Sequence, residues 1–359
     1  MDSRVNRRQN LHPHRPILKI MLLIVTTALV ALGAYGLRLY SQTKYALNST
    51  YQGIGTEDGS AGTVAKTIQQ KKPFAVLLLG TDTGAFGRND TGRSDTMIVV
   101  VINPKTQTTN MVSLPRDTAA KMIGTKSFNM QKINAAYEIG GSKMAVNTAS
   151  ALVNVPIKYY LTVNMGALEK VVDAVGGVDV NVAFSWSDPH VGTYKFTKGK
   201  MHLNGAEALA YARMRHADSE GDYGRQKRQQ QVIKAIVKKA LSTDTLKNFD
   251  QLLKTVSSNM QTNLSFADML ALVQNYRGAA KTIKSTTLKG HDAMVYPGPA
   301  SYQIPSTKEL QRISDRLRTA LGLSTTPISN QNVRENRANS EFNWDDPAAQ
   351  NYVIYNPDL

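Results

Sequence analysis

The chain has 359 residues, 42% hydrophobic and 19% charged, so it buries a sizeable core and is not a disordered polymer. It has no cysteine, which excludes disulfides, thiolate metal ligands and cysteine nucleophiles and leaves carboxylates, hydroxyls, arginines and histidines to carry any chemistry. Forty-three Lys and Arg against 27 Asp and Glu give a net charge of +16, the balance of a protein that meets a polyanion: nucleic acid, anionic lipid or an anionic cell-wall polymer.

Residues 1–16 carry Arg4, Arg7, Arg8 and Arg15 against a single acid, Asp2. Residues 17–37 follow, ILKIMLLIVTTALVALGAYGL, apolar except for Lys19 and of the length, about 20 residues, that crosses a bilayer core as a helix. The basic flank predicts a cytoplasmic N-terminus with everything after the span outside the cell, which rules out DNA as the partner of the main domain. No good small-x-small cleavage site precedes the end of the run, so an uncleaved anchor is expected over a signal peptide. Residues 38–72, with the low-complexity stretch GIGTEDGSAGT, read as an extracellular linker.

A globular region begins at Pro73. Residues 74–79 and 96–102 are continuous apolar runs, the pattern of central strands buried on both faces. Asn103-Pro104-Lys105 is turn chemistry and leads to a third strand at 109–114, stopped by Pro115, so the second and third strands predict an antiparallel hairpin. An amphipathic helix is expected over 143–152, with Met144, Ala145, Thr148, Ala149 and Leu152 at helical spacing, then a strand at 159–163, a helix at 166–175 and a strand at 178–182. Asn204 with Glu207 has the spacing of a capping box, and a second helix runs from about 224 to 241. This alternation predicts an α/β (α+β) fold, a central mixed sheet covered by helices. Its core spans 73–242, helical patterns over 243–323 form a cap on the same domain, and 324–359 is a polar, flexible tail.

Charge gathers where the strands end. Leu79-Gly80-Thr81-Asp82, Gly92-Arg93-Ser94-Asp95-Thr96 and Ser113-Leu114-Pro115-Arg116-Asp117 each place ionic groups at the rim of an apolar strand. If the first two strands are neighbours, Asp82 and Asp95 converge, and a carboxylate pair without histidine or thiolate suits magnesium. Blander readings are a turn-forming Asp82, an Asp95 paired with Arg93, and an internal Arg116–Asp117 pair. The densest stretch, YARMRHADSEGDYGRQKRQQQ at 211–231, sets Arg213, Arg215, Arg225 and Arg228 around Asp218, Glu220 and Asp222. Four guanidiniums this close repel unless an anion intervenes, and a pyrophosphate satisfies their planar donor forks. Arg225 and Arg228 share one helix face near an N-terminus, where the dipole also favours an anion. The alternative is a solvated charged face. The six histidines show no metal-ligand spacing, and His216 reads as a bystander within the arginine cluster.

Six segments, LLLGTDT (77–83), TGRSDTMIVVVINP (91–104), VSLPRDT (112–118), KINAAYEIGG (132–141), VDAVGGVDVNV (172–182) and GAEALAYARMRHADSEGDYGRQKRQQQ (205–231), resemble the LytR-CpsA-Psr family of cell-wall ligases, in the family's order. The resemblance implies a phosphotransferase that moves an anionic glycopolymer, a teichoic acid or a capsular polysaccharide, from an undecaprenyl-pyrophosphate carrier to the 6-hydroxyl of peptidoglycan N-acetylmuramic acid. It implies that Asp82 and Asp95 hold Mg2+, or Mn2+, that Arg93, Arg116, Arg213, Arg215 and Arg225 clamp the pyrophosphate with Arg228 in the same shell, and that Asp222 orients the arginines or the metal shell. Asp82, Asp95, Arg93 and Arg116 would form the catalytic set, and a prenyl tail would lie among residues of 143–152, 159–163 and 166–175. A lipid-pyrophosphate hydrolase and a polyprenyl-phosphate-binding regulator without turnover are the alternatives. Expected partners are the lipid-linked polymer, peptidoglycan and the cytoplasmic membrane of a Gram-positive envelope.

Overall fold

The computed structural model describes residues 41, 50–55, 67–81, 92–240, 254 and 257–356. The chain divides into two units, 1–45 and 46–359, and the second is described here. The expected span at 17–37, Asp82 and most of the linker lie outside the described residues, among which no helix is long and apolar enough to cross a membrane.

In chain order the strands are β1 (Phe74–Thr81), β2 (Ser94–Asn103), β3 (Thr108–Ser113), β4 (Ala119–Lys121), β5 (Met130–Lys132), β6 (Tyr159–Asn164), β7 (Val178–Val182), β8 (Trp186–Ser187), β9 (Lys195–Phe196) and β10 (Gly199–Leu203). They continue with β11 (Met260–Thr262), β12 (Thr282–Thr287), β13 (His291–Tyr296), β14 (Ala300–Ile304) and β15 (Gln350–Val353). The helices are α1 (Ala135–Val153), α2 (Met165–Ala174), α3 (Gly205–Arg213), α4 (Gly221–Ala240), α5 (Phe266–Tyr276), α6 (Thr307–Leu321) and α7 (Gln331–Ala338).

The main sheet has the order β11-β6-β1-β2-β3-β12. β1 pairs antiparallel with β2 and parallel with β6, and β3 pairs antiparallel with β2 and parallel with β12, so the sheet is mixed as expected. The apolar runs occupy its centre because both faces are covered. Ala75, Leu77, Leu79, Met97, Val99 and Val101 face a core shared with α1 and α6, while Ile98, Val100 and Met111 face Ile233 of α4. The β2–β3 hairpin turns where Asn103 Oδ1 accepts the backbone N–H groups of Lys105 and Thr106, at 3.0 and 3.1 Å. A second core joins β7, β10, α3 and α4 around Trp186, Phe196 and Tyr211.

Three sequence expectations change. The region 243–323 is not only a helical cap: β11 and β12 are the two outer strands of the main sheet. The tail is not flexible throughout, because α7 packs Val333 into the main core and β15 joins β13 in parallel. The helix expected at 143–152 begins eight residues earlier, at Ala135, with a kink at Gly140 and Gly141. Residues proposed to line a prenyl tunnel, among them Ala145, Ala149, Leu152, Tyr160 and Val172, are buried in the two cores.

Candidate active site

The site forms where β1, β2 and β3 end and α4 begins. Thr81, the residue before Asp82, pairs with Ser94, the residue before Asp95, at an irregularity in the β1–β2 ladder. The antiparallel register therefore brings the end of β1 and the start of β2 together at one rim of the sheet, where Asp95 sits. Of the two aspartates, only Asp95 is among the described residues. Its Oδ1 accepts from Arg116 Nη1 at 2.9 Å. Arg116 follows the Pro115 that stops β3, and its Nε lies 3.6 Å from Asp117, which also pairs with Lys132 of β5 at 2.8 Å. A small cleft is lined by Asp95, Thr96, Ser113, Arg116, Gln226 and Gln229 among others.

The fourth contribution is the first turn of α4. Asp222 Oδ1 accepts from Arg225 Nε at 3.0 Å and Nη2 at 2.6 Å, and its Oδ2 accepts from Gln226 at 2.8 Å. Arg225 also donates through Nη1 to the backbone carbonyl of Asp95 at 3.3 Å, which ties α4 to the start of β2. Arg215 lies 3.9 Å from Asp222 and is nearly half exposed, and Arg213 is half-buried at the end of α3. The capping box that opens α3 is formed in full by Asn204 and Glu207.

Two arginines have unexpected partners. Arg93 donates from Nε to Glu138 at 2.6 Å, so its partner is the first turn of α1 and not Asp95. Arg228, expected in the pyrophosphate shell, is buried and turned away: Nη1 donates to Asp218, and Nη2 to the Met214 carbonyl at 2.6 Å. It holds the 214–218 loop against α4 and so positions the exposed Arg215. Gly224 has no Cβ because one would overlap the Asp218 carboxylate at 1.9 Å.

The electrostatics follow from this interleaving. Burial opposes the charge of Asp222, but Arg225, the Gln226 amide and Arg116 outweigh it and hold the carboxyl below the usual carboxylate range. Asp218 is likewise held low, burial being overcome by the Arg228 bond. Arg116 sits above its ordinary value, since Asp95 and Asp117 outweigh its desolvation. Three buried side-chain atoms here, Ser94 Oγ, Thr118 Oγ1 and Gln226 Oε1, have no hydrogen-bond partner among the described residues.

The LytR_cpsA_psr family profile matches residues 37–319, most of the chain. The chain belongs to the LytR-CpsA-Psr family. A polyisoprenyl-teichoic acid–peptidoglycan teichoic acid transferase, TagU of Enterococcus faecalis, is 40% identical over 301 residues, covering 84% of this chain and 95% of that protein. The crystal structure of Bacillus subtilis TagV aligns with a TM-score of 0.62 at 37% identity, covering 71% of this chain and 99% of that one. A structure of TagT bound to LI-WTA aligns with a TM-score of 0.58 at 30% identity, covering 71% and 92%.

Within this family domain, sequence reasoning assigned no role to Glu138, Lys132 or Gln226. Glu138 lies inside the quoted KINAAYEIGG segment, but its partner is 45 residues away and no local spacing connects them. Among the described residues no group of three or more His, Asp or Glu is arranged to hold a metal.

Proposed function

We propose that this chain transfers an anionic glycopolymer from an undecaprenyl-pyrophosphate carrier to the 6-hydroxyl of peptidoglycan N-acetylmuramic acid. The observation that carries the reading is the joining of Asp95, Arg116, Asp222 and Arg225, from three distant segments, at one rim of the sheet. The names of its relatives, teichoic acid transferases acting between polyisoprenyl carriers and peptidoglycan, support the same reaction class.

The acceptor oxygen attacks the phosphorus that carries the polymer. The bond from that phosphorus to the bridging oxygen breaks, the hydroxyl proton leaves to a base, and undecaprenyl phosphate departs. Such a transfer needs positioning and charge neutralisation and no nucleophilic side chain. In this reading Arg116 and Arg225, joined at the rim, clamp the pyrophosphate, and Arg93, Arg213 and Arg215 supply further guanidinium donors. Asp222 and Asp95 keep the Arg225 and Arg116 guanidiniums apart and oriented before substrate binds. Asp95 and Asp82 would hold Mg2+, which would supply positive charge to the transferred phosphate. The apolar segment at 17–37 would anchor the chain in the cytoplasmic membrane with this domain outside, where its substrates are.

The test is transfer by the full chain in detergent, from a prenyl-pyrophosphate-linked saccharide to peptidoglycan oligomers, read by mass spectrometry. Arg116→Ala is expected to lower kcat by about 100-fold or more, as loss of a donor to developing charge does elsewhere. Full turnover by this variant, or free saccharide phosphate as the sole product with wild type, would overturn the transferase reading. Protease accessibility in intact cells tests the orientation.

A further inference from the structure

In the site, Arg93, Arg116, Arg225 and Arg228 each donate to a carboxylate. Further cations line the outer edge of the main sheet. β12 is an edge strand, and its Lys284 is exposed, as is Lys289 just beyond its end. α4 flanks the strand with Lys234 and Lys238; Lys234 donates to Ser285 Oγ at 2.7 Å. α6 approaches with Arg312 and Arg316; Arg312 donates to the Thr287 carbonyl at 3.3 Å.

Acids offset part of this charge: Glu309 pairs with Arg312 and accepts the Lys289 backbone N–H at 2.9 Å, and Asp315 accepts from Gln311, while the Lys284 and Lys289 side chains are exposed. Arg316 Nε is buried without a hydrogen-bond partner among the described residues. Burial and Lys238 push Lys234 down, and burial and Arg312 push Arg316 down, the behaviour of cations facing cations. The edge is also continuous with the site. β12 runs parallel to β3, the Leu288 N–H donates to the Ser113 carbonyl at 2.9 Å, and Gln230 of α4 bridges Ser113 Oγ and the Thr286 carbonyl. Ser113 lines the cleft, so the stripe starts at its wall and extends about 20 Å along the strand at ~3.3 Å per residue.

We propose that the β12 edge, with Lys284 and Lys289 as its exposed cations and α4 and α6 as its flanks, binds the phosphodiester-linked polymer itself, outside the pyrophosphate clamp. This deepens the proposed function and rests on it: the clamp holds the reacting group, and the edge holds the chain that follows. A narrow cationic stripe leading out of a cleft matches a linear polyanion. An anionic membrane is the weaker match, because none of the exposed large hydrophobic residues lies on β12 or α4.

The experiment uses the full chain in detergent and an end-labelled, lipid-free poly(glycerol phosphate) oligomer, with binding read by fluorescence anisotropy. Wild type is expected to bind, with affinity falling about tenfold or more between about 50 and about 200 mM salt as counterions are released. Lys284→Glu combined with Lys289→Glu is expected to weaken binding by roughly tenfold or more, while the corresponding Arg pair retains it. Both positions are exposed, so unchanged thermal melting accompanies either result. Arg116→Ala is expected to keep oligomer binding. In transfer assays the Glu pair is expected to raise KM for long-chain donors and leave a single-repeat donor unaffected. Unchanged oligomer affinity in the Glu pair, oligomer binding lost with Arg116→Ala, or wild-type binding to phosphatidylglycerol vesicles but not to the oligomer would each overturn the proposal. Failure of transfer with every donor alongside intact edge-dependent binding would instead sink the proposed function alone.

Discussion

Asp222 accepts three hydrogen bonds from Arg225 and Gln226 and lies 3.9 Å from Arg215, so a single carboxylate sets the spacing of the arginines when no phosphate is present. Its depressed pKa has a definite sign. A carboxyl held lower in the folded than in the unfolded chain contributes stability above its unfolded value, near pH 4, and loses it as pH falls through the folded value. The contribution is therefore full at neutral pH and declines only below about pH 4. Asp222→Asn is expected to flatten this part of the acid limb of a urea-midpoint-against-pH curve. At neutral pH the same variant is expected to raise KM for the lipid-linked donor, because two buried guanidinium donors lose their charged acceptor. An acid limb indistinguishable from wild type would refute the assignment. The arginines were legible in the sequence because they are dense and interleaved with acids. The inward turn of Arg228 was not, since it depends on a loop, 214–218, whose path no periodicity describes.

The helix α1 shows how an element sets a site residue. Gly140 and Gly141 have non-helical backbone, and Gly141 at φ 63°, ψ −159° occupies a region that is essentially open to glycine alone. The kink splits a short first segment carrying Glu138 from the longer segment that packs Met144, Ala145 and Ala149 into the core. Each segment can then satisfy its own partners: the core for one, Arg93 for the other. Gly141→Ala is expected to cost about 1–3 kcal/mol in chemical denaturation and to raise donor KM through a displaced Arg93–Glu138 pair. A variant with wild-type stability would show that the kink carries no strain for a Cβ. The sequence placed the core-facing segment from its apolar spacing and stopped at the glycines, because a Gly-Gly pair ordinarily ends a helix. The central strands were legible for a related reason: continuous burial on both faces leaves an uninterrupted apolar run. β11 and β12 fall inside the region expected as a helical cap, since MQT and TIKSTT are short and polar, as suits strands at the sheet's edges, and carry no apolar run.

At the scale of the molecule, the last 40 residues lie beyond the family match that ends at 319, yet they brace the site. Asn332 on α7 donates to the Ala119 carbonyl at 2.7 Å, and Asn336 donates to the Pro305 carbonyl at 3.1 Å while accepting from the Tyr352 hydroxyl at 2.7 Å. These contacts grip β4 and the end of β14. The Gln303 N–H donates in turn to the Asp117 carbonyl at 2.9 Å, so the segment that follows Arg116 is held on two sides. Phe342 and Tyr352 are buried with Ala293 and Val295 in the same cluster. The composition of the tail concealed this, because its anchors are asparagines that bond backbone carbonyls and two isolated aromatics, without helical or strand periodicity. Phe342→Ala is expected to cost about 3–5 kcal/mol for the cavity left in that cluster. Asn332→Ala leaves the buried Ala119 carbonyl without its donor and is expected to cost about 1–3 kcal/mol. If the tail acts on the site through β4, Asn332→Ala also raises donor KM while leaving kcat within a few-fold, because the arginines remain but the strand that aims Arg116 is loosened. Equal stability loss in both variants with unchanged KM in the folded fraction would make the tail a stabilising strap with no influence on the clamp.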